Sequence, residues 1–579
     1  MIDYAGIDRA VGHNWYDLDP DLQARVRRDA PPADLEWVEG KLRAFGGLVG
    51  EVVAPNSDLV DANPPELVRY DRWANEVNEV VHHPANLESK RALWESGYTG
   101  GFARDEAARG KPVPGIVNAA TSYLLSQADT GLVCSLGMTS GVAGLVAAYA
   151  PADVRDALLP GLRADDVDHG LDGSMFLTER DGGSDLGRTV HCSARDIGDG
   201  RVLINGEKWF CSNIDGAAIV MLARPEGAPE GPAGLGLYLV PRVRDDGSRN
   251  GISMRRLKPK MGTKSVPTGE VEFHDALGYA LRPRRATDEG AGSSDAGGLG
   301  RMMEMVNGSR FGVAMMGLGI ARRSFLEAMV WAHHREAKGR LLVDLPLLRE
   351  QLVDLLVELE AAFALGFECT AATRFADGDR LRRILVPAAK VRLCRFGVEA
   401  AGTAVELHGG NGYCEDWGLT RQLRDAQCHP IWEGSEQICQ LDVLRAIRRA
   451  DAHRAVYARV DEALARADDA PEYLAEAAIA ITAGRTELEH RIDELPSLDA
   501  DLAEGRAARV TALLTSTVSA ALLFEQGVED AHKGLVALRF ARRHLTPGGT
   551  WDDAIAAVAG RELLAFDDLD HATAEKAAA

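Results

Sequence analysis

Apolar residues recur along this chain in two rhythms. In RFGVAMMGLGIARRSFLEAMVWAHHR (310–335), LVDLPLLREQLVDLLVELEAAFALGF (342–367) and LVPAAKVRLCRFGVEAAGTAVELHGG (385–410) they return at near-helical spacing, over lengths suited to a helical bundle. The region 116–150, dense in Ala, Leu and Val, reads as buried helix, and the Pro pair of VDANPPELVRYD marks a helix entry. From residue 171 the texture changes. MFLTE, RVLINGEKWF, AAIVMLA, LGLYLVP and GEVEFHDA are short apolar runs separated by Gly, Asp and Asn turns, which predicts antiparallel strands. DEGAGSSDAGGLG (288–300) reads as a flexible connection, and the Ala-rich tail reads as further helix. The predicted fold is mainly α with a central antiparallel β domain. Its parts are an N-terminal helical domain (1–170), a β domain (171–285), a helical bundle (286–450) and a C-terminal helical extension (451–579).

The 579 residues are too many for one domain, and the net charge of −22 disfavours nucleic acid and anionic membranes as partners. Eight scattered cysteines without a CxxC pair indicate neither a zinc site nor a disulfide framework, and fit a reducing cytoplasm. The first 30 residues carry no signal-peptide pattern, and no uninterrupted apolar run of 18 residues predicts a membrane span. The pairs His82-His83 and His333-His334 point in different directions on a helix and cannot jointly chelate a metal. No serine sits in a GxSxG setting.

Four stretches could carry chemistry. TERDGGSD (178–185) is either a tight turn or a backbone made for close ligand approach. In NGEKWFCSN (205–213), Asn205-Gly206 is a hairpin signal, and alternation puts Phe210 and Ser212 on one face, where they either pack in a core or meet a flat ring. ELHGGNGY (406–413) is either a glycine helix stop or a phosphate- or ribose-approaching loop. In HPIWEGSEQ (429–437), Glu433 stands just before a helical run. It is either a helix cap or a base whose pKa is tuned by its apolar neighbours Ile431 and Trp432.

Taken in order, TERDGGSD, NGEKWFCSN, HHREAKGRLL, ELHGGNGY and IWEGSEQ resemble the acyl-CoA dehydrogenase flavoprotein family over roughly residues 60–450. NPPELVRYD, FLTERDGGSD, KWFCS, GEVEFHDALG and GYCED…IWEGS resemble its AidB-like, adaptive-response branch most. The resemblance implies a helical domain, a β-barrel domain and a four-helix bundle, with FAD as cofactor. It implies that Thr178, Phe210 and Ser212 meet the flavin, and that Ser435 and Gln437 also contact FAD. Arg335, Glu406, Gly409 and Gly410 would serve the FAD of a neighbouring subunit, which implies a homodimer or homotetramer. Ser184 and Arg310 would serve the substrate, an acyl-CoA or acyl-carrier thioester. Glu433 would remove its α-proton, and electrons would leave through an electron-transferring flavoprotein. No metal is implied. Some branches carry the base one residue before the arginine that matches Arg310, but Ser309 stands there and cannot serve. Lys338 replaces an aromatic that packs on adenine in the family, and Glu406 stands where glutamine is common.

AidB-like proteins bind duplex DNA through a basic extension, which gives an alternative function. Here residues 451–579 hold 13 Lys/Arg against 24 Asp/Glu. That balance disfavours DNA, since non-specific affinity comes from cations neutralising phosphates. ALRFARRHL (537–545), with three arginines, is the one candidate basic patch, and the extension is expected to buttress the bundle or a subunit interface.

Overall fold

A computed structural model describes residues 2–282, 298–372, 377–546, 548 and 553–578. The predicted connection therefore lies outside the described residues over 288–297, while Gly298 opens a long helix. Two compact units make up the chain. One comprises Met1–Glu51, Pro114–Ala128 and Val313–Ala579, the other Val52–Val113 and Asp129–Gly312.

Among the described residues the second unit holds nine strands: β1 (Glu66–Tyr70), β2 (Glu76–Val81), β3 (Gly173–Phe176), β4 (Ser193–Gly198), β5 (Arg201–Ser212), β6 (Ala218–Pro225), β7 (Gly236–Pro241), β8 (Ile252–Leu257) and β9 (Thr268–Ala280). Pairings β6–β4, β4–β5, β5–β9, β9–β7 and β7–β6 close a ring, with β3 added to β6 and β8 to β9. Period-two alternation sorts the side chains. Ile219, Met221, Tyr238 and Val240 point into the barrel with Phe176, Val271 and Phe273. Val220, Leu222, Leu237 and Leu239 point the other way, onto Met138, Val142 and Val146 of the helix Thr130–Tyr149.

Three sequence expectations are corrected. The Pro64-Pro65 pair does not open a helix. Asn63 ends the helix Ala54–Ala62, and the alternating ELVRY that follows pairs with β2 as a hairpin. Proline disfavours helical backbone in the residue before it, so the pair separates helix from strand. Nor is Asn205-Gly206 a hairpin, since β5 runs straight through it and β4 turns into β5 at Asp199-Gly200, both at positive φ. Gly206 is required for a different reason: a Cβ there would lie 2.9 Å from Cys192 Cα. Finally, Thr130–Tyr149 and the stretch Ala500–Gly527 are long and apolar enough to cross a membrane. They are 61% and 72% buried in the fold, where small residues let neighbours pack closely.

In the first unit the helices Pro346–Ala371, Gly378–Leu407 and Glu436–Ala450 pack with the portion of Gly298–His334 that follows Val313. The N-terminal segment is tied in by Asp19, whose carboxylate accepts from Tyr123 Oη (2.7 Å) and Arg322 Nε (3.1 Å). The last residues form the helices His453–Leu464, Ala475–Glu494, Ala507–Gly527 and Ala531–Leu545. Cations of these helices reach acids on Pro346–Ala371: Arg459 to Glu368, His532 and Lys533 to Glu360, and Arg539 to Glu350 and Asp354.

All four paired histidines are satisfied locally. His82 bonds Asp215 (2.8 Å), His83 accepts from Ala85 N, and His333 and His334 bond the carbonyls four residues back.

Candidate functional site

The barrel unit carries the first half of the predicted residues. Glu179 and Lys208, one from TERDGGSD and one from NGEKWFCSN, form a buried ion pair of 2.7 Å. Lys208 also donates to Leu177 O, and Glu179 accepts from the N–H groups of His191 and Cys192. Trp209 N donates to Thr178 O (2.9 Å), so the two motifs are locked side by side. Both glycines of DGGSD have reasons within the chain. Gly182 has φ +114°, and a Cβ on Gly183 would come 2.5 Å from Thr178 Oγ1.

Lys208 pairs with Val271 and Cys211 with Gly269, so two residues of β5 oppose one of β9. This is a bulge, and bulges re-aim side chains. It keeps Lys208 and Cys211 buried although they stand three apart, and it leaves Phe210 56% exposed between them. Lys258 Nζ lies 3.7 Å from the centre of the Trp209 ring and 4.9 Å from that of Phe210. Ser212 Oγ is 3.1 Å from Thr268 Oγ1, which also accepts from Lys260 (3.2 Å). Phe210 and Ser212 therefore do flank the buried Cys211, with a flat apolar face exposed and a hydroxyl half-buried. Ser184 is exposed, Ser309 half-buried, and buried Arg310 reaches Asn307 Oδ1 at 3.4 Å.

The bundle unit carries the rest. The helix that follows the opening glutamate begins at Glu436, and its N-cap is Ser435, whose hydroxyl accepts from Ile438 N at 3.5 Å. Glu433 is thus not the cap. It sits two residues earlier in a turn, at φ +53°, followed by Gly434 at +98°. Ile431 beside it is 69% exposed. The carbonyls on either side of it, those of Pro430 and Gly434, accept from Lys390 Nζ at 3.1 and 2.7 Å. His429 is fully buried, and burial first and the Lys390 charge second push its pKa down to about 3, so the ring is neutral.

In ELHGGNGY the helix stops at Leu407, and Gly409 takes the left-handed φ of +61° that ends it. A Cβ on Gly412 would lie 2.2 Å from Val405 O, so this glycine is fixed by packing on the helix. Gly410 has neither reason, since space is open at its Cβ and its φ is ordinary. Glu406 and Tyr413 beside it are exposed. Arg335 is exposed as well, ahead of a two-strand hairpin, β10 (Glu336–Ala337) and β11 (Arg340–Leu341), whose turn is Lys338-Gly339 with both φ positive. Gln437 is exposed on the first turn of its helix.

The structure thus gathers Thr178, Phe210 and Ser212 on the barrel, and Glu433, Ser435 and Gln437 on one turn of the bundle unit. Glu179, Lys208, Lys258, Thr268, Lys390 and His429 escaped the sequence reading. The available signal was a charge inside an apolar run, as in INGEKWF and VPAAKVRL.

Family models match three segments of the chain. Residues 174–276 match the acyl-CoA dehydrogenase middle domain and 296–448 its C-terminal domain, while 7–169 match the adaptive response protein AidB N-terminal domain. The putative acyl-CoA dehydrogenase AidB of Escherichia coli (strain K12) is 34% identical over 402 residues, which are 68% of this chain and 70% of that protein. The chain belongs to the acyl-CoA dehydrogenase family. Within that family, ACDH-11 of Caenorhabditis elegans, solved in complex with C11-CoA, superimposes with a TM-score of 0.85 at 25% identity, covering 94% of each chain. An acyl-CoA dehydrogenase of Bacillus anthracis, solved with FAD, shares the fold at a TM-score of 0.70 and 15% identity, covering 96% of each chain.

Proposed function

We propose that this protein is an FAD-dependent acyl-CoA dehydrogenase that oxidises the α,β carbon–carbon bond of an acyl thioester, with Glu433 as the base. The observation that carries this reading is the position of Glu433. Ser435 is the helix N-cap, and the glutamate stands two residues before it on a left-handed turn.

The residues present suit FAD. Phe210 offers a flat exposed face and Ser212 a hydroxyl two residues away. Gly410 is open to close approach, and Arg335 and Glu406, both exposed, would meet phosphate and hydroxyl groups of a neighbouring subunit's FAD. FAD, when bound, supplies the acceptor for the β-hydrogen, which leaves as hydride. The chain's own residues do the remainder. The Glu433 carboxylate takes the α-proton. The Glu433 backbone N–H, as in the family, steadies charge growing on the thioester oxygen. Ser184 holds the CoA part and Arg310 the substrate, as the family resemblance implies. An electron-transferring flavoprotein removes the electrons. CoA is the favoured carrier, because ACDH-11 is solved with an acyl-CoA.

DNA protection loses support on this structure. Arg539 is buried between Glu350, Asp354 and Asp553, Arg542 pairs with Glu476, and Arg543 pairs with Asp354 and Glu358. The three arginines of ALRFARRHL are neutralised within the fold.

The test is anaerobic titration of the yellow protein with a panel of straight and branched acyl-CoAs, starting from C11-CoA. Bleaching by at least one of them, lost in Glu433→Gln with FAD retained, is the expected result. A panel without bleaching rejects the reading.

A further inference from the structure

Lys390 stands in the middle of the helix Gly378–Leu407 with no exposed surface, among buried Ala388, Ala389, Leu393 and Cys394. Burying an ammonium is costly in lost hydration unless good acceptors meet it. An apolar residue would fill the same place without that cost. The acceptors Lys390 finds are two backbone carbonyls, Pro430 O at 3.1 Å and Gly434 O at 2.7 Å. Those two residues bracket Glu433. The turn between them carries two consecutive left-handed residues, Glu433 at φ +53° and Gly434 at +98°. Such backbone persists in a residue with a side chain only where its surroundings hold it there. The helix that begins at Glu436 adds the contact of Cys439 Sγ to Gly434 O at 3.7 Å, and a thiol is a far weaker donor than an ammonium.

We propose that Lys390 is a positioning residue for Glu433: its ammonium pins the Pro430–Gly434 turn from within the bundle and so fixes where the carboxylate stands. The inference rests on Glu433 being the base. Of the neighbouring titratable groups, the Cys439 thiol shares Gly434 O with Lys390 at 3.7 Å, as a weak donor, and the others are engaged elsewhere. His429 is neutral, Glu436 is held by Arg395 at 2.8 Å, and Cys394 is turned to Val313 O at 3.4 Å.

Two measurements on the FAD-loaded protein test it. Lys390→Met removes the donors, and Lys390→Gln keeps uncharged ones. In Lys390→Met, bleaching by the best acyl-CoA of the panel is expected to slow about 100-fold, the scale of a displacement of roughly 1 Å. The concentration giving half the effect should stay within about threefold, since ground-state binding is not what the turn provides. Lys390→Gln should recover about tenfold of the lost rate. Amide hydrogen exchange over 430–435 is expected to quicken in Lys390→Met while 438–450 stays protected. A bleaching rate within about threefold of the parent, or unchanged exchange over 430–435, overturns the proposal. If Lys390→Met does not fold, Lys390→Gln is compared with the parent by the same two readouts: slower bleaching with faster exchange supports the pin, and equality in both removes it. If no acyl-CoA bleaches the parent protein, the function assigned to Glu433 has failed, and the exchange experiment alone decides whether Lys390 holds the turn.

Discussion

Glu179 and Lys208 meet at 2.7 Å inside the barrel, and this one ion pair joins the two motifs that carry Thr178 on one side and Phe210 and Ser212 on the other. Removing one partner of a buried pair strands a charge. Lys208→Met should therefore cost about 3–5 kcal/mol in urea unfolding. Adding Glu179→Gln should return part of that, because the stranded charge is gone while a carbonyl still accepts from His191 and Cys192 N–H. A double variant no more stable than Lys208→Met would show that the loss is one of packing.

Glu433 and Ser435 should separate cleanly. Ser435→Ala removes a cap and is expected to cost about 0.5–2 kcal/mol of stability. Glu433→Gln leaves the cap in place and should change stability by less than about 0.5 kcal/mol while abolishing bleaching. Thermal unfolding of the two variants alongside the titration checks both halves. A Glu433→Gln variant destabilised as much as Ser435→Ala would return the glutamate to a structural role.

The glycines of HGGNGY make opposite predictions. Gly412→Ala forces a Cβ to 2.2 Å from Val405 O and should destabilise the fold. It is an overpacking change, worth about 1–3 kcal/mol. Gly410→Ala meets nothing within the chain and should leave the unfolding midpoint unchanged while lowering FAD retention on gel filtration. Full FAD retention in Gly410→Ala would mean that no cofactor approaches there.

Glu358 sets an acid limit. Burial favours its neutral form, but the His544 hydrogen bond at 2.7 Å and the charges of Arg392 and Arg543 outweigh burial and hold its pKa at about 2. A carboxyl depressed in the folded state stabilises above its unfolded pKa, and the benefit disappears as pH falls toward the folded value. Stability should thus decline from about pH 5 toward pH 2, and Glu358→Gln should show a shallower decline. Urea midpoints across that range give the comparison. Parallel slopes would show that the pairing contributes nothing.

Much of this was legible in the sequence because it is periodic. The alternation of IVMLA and LGLYLV fixes which side chains fill the barrel, and helical spacing marks the bundle. Irregular backbone was not legible. Asn205-Gly206 carries the composition of a hairpin yet lies within β5, since the turn chemistry of Asp199-Gly200 six residues upstream already reverses the chain. The bulge at Trp209-Phe210 is visible only in the register against β9. At the site, the candidate residues were found by motif order, while their supports were not. Lys390 and Glu179 act through partners 40 and 29 residues away in the chain, and spacing along a sequence carries no sign of that.

The helix Pro346–Ala371 carries Glu350, Asp354, Glu358, Glu360 and Glu368, and each meets a cation from beyond residue 450, while Glu358 also pairs with Arg392 and Glu368 with Arg25. A shortened protein ending there would keep every residue assigned to the cofactor and the base. It would lose the cations that the last helices bring to Glu350, Asp354 and Glu360, leaving Arg392 to Glu358 and Arg25 to Glu368. Cutting the chain there is therefore not a route to a minimal protein. The fragment would strand Glu360 without the His532 and Lys533 that now meet it.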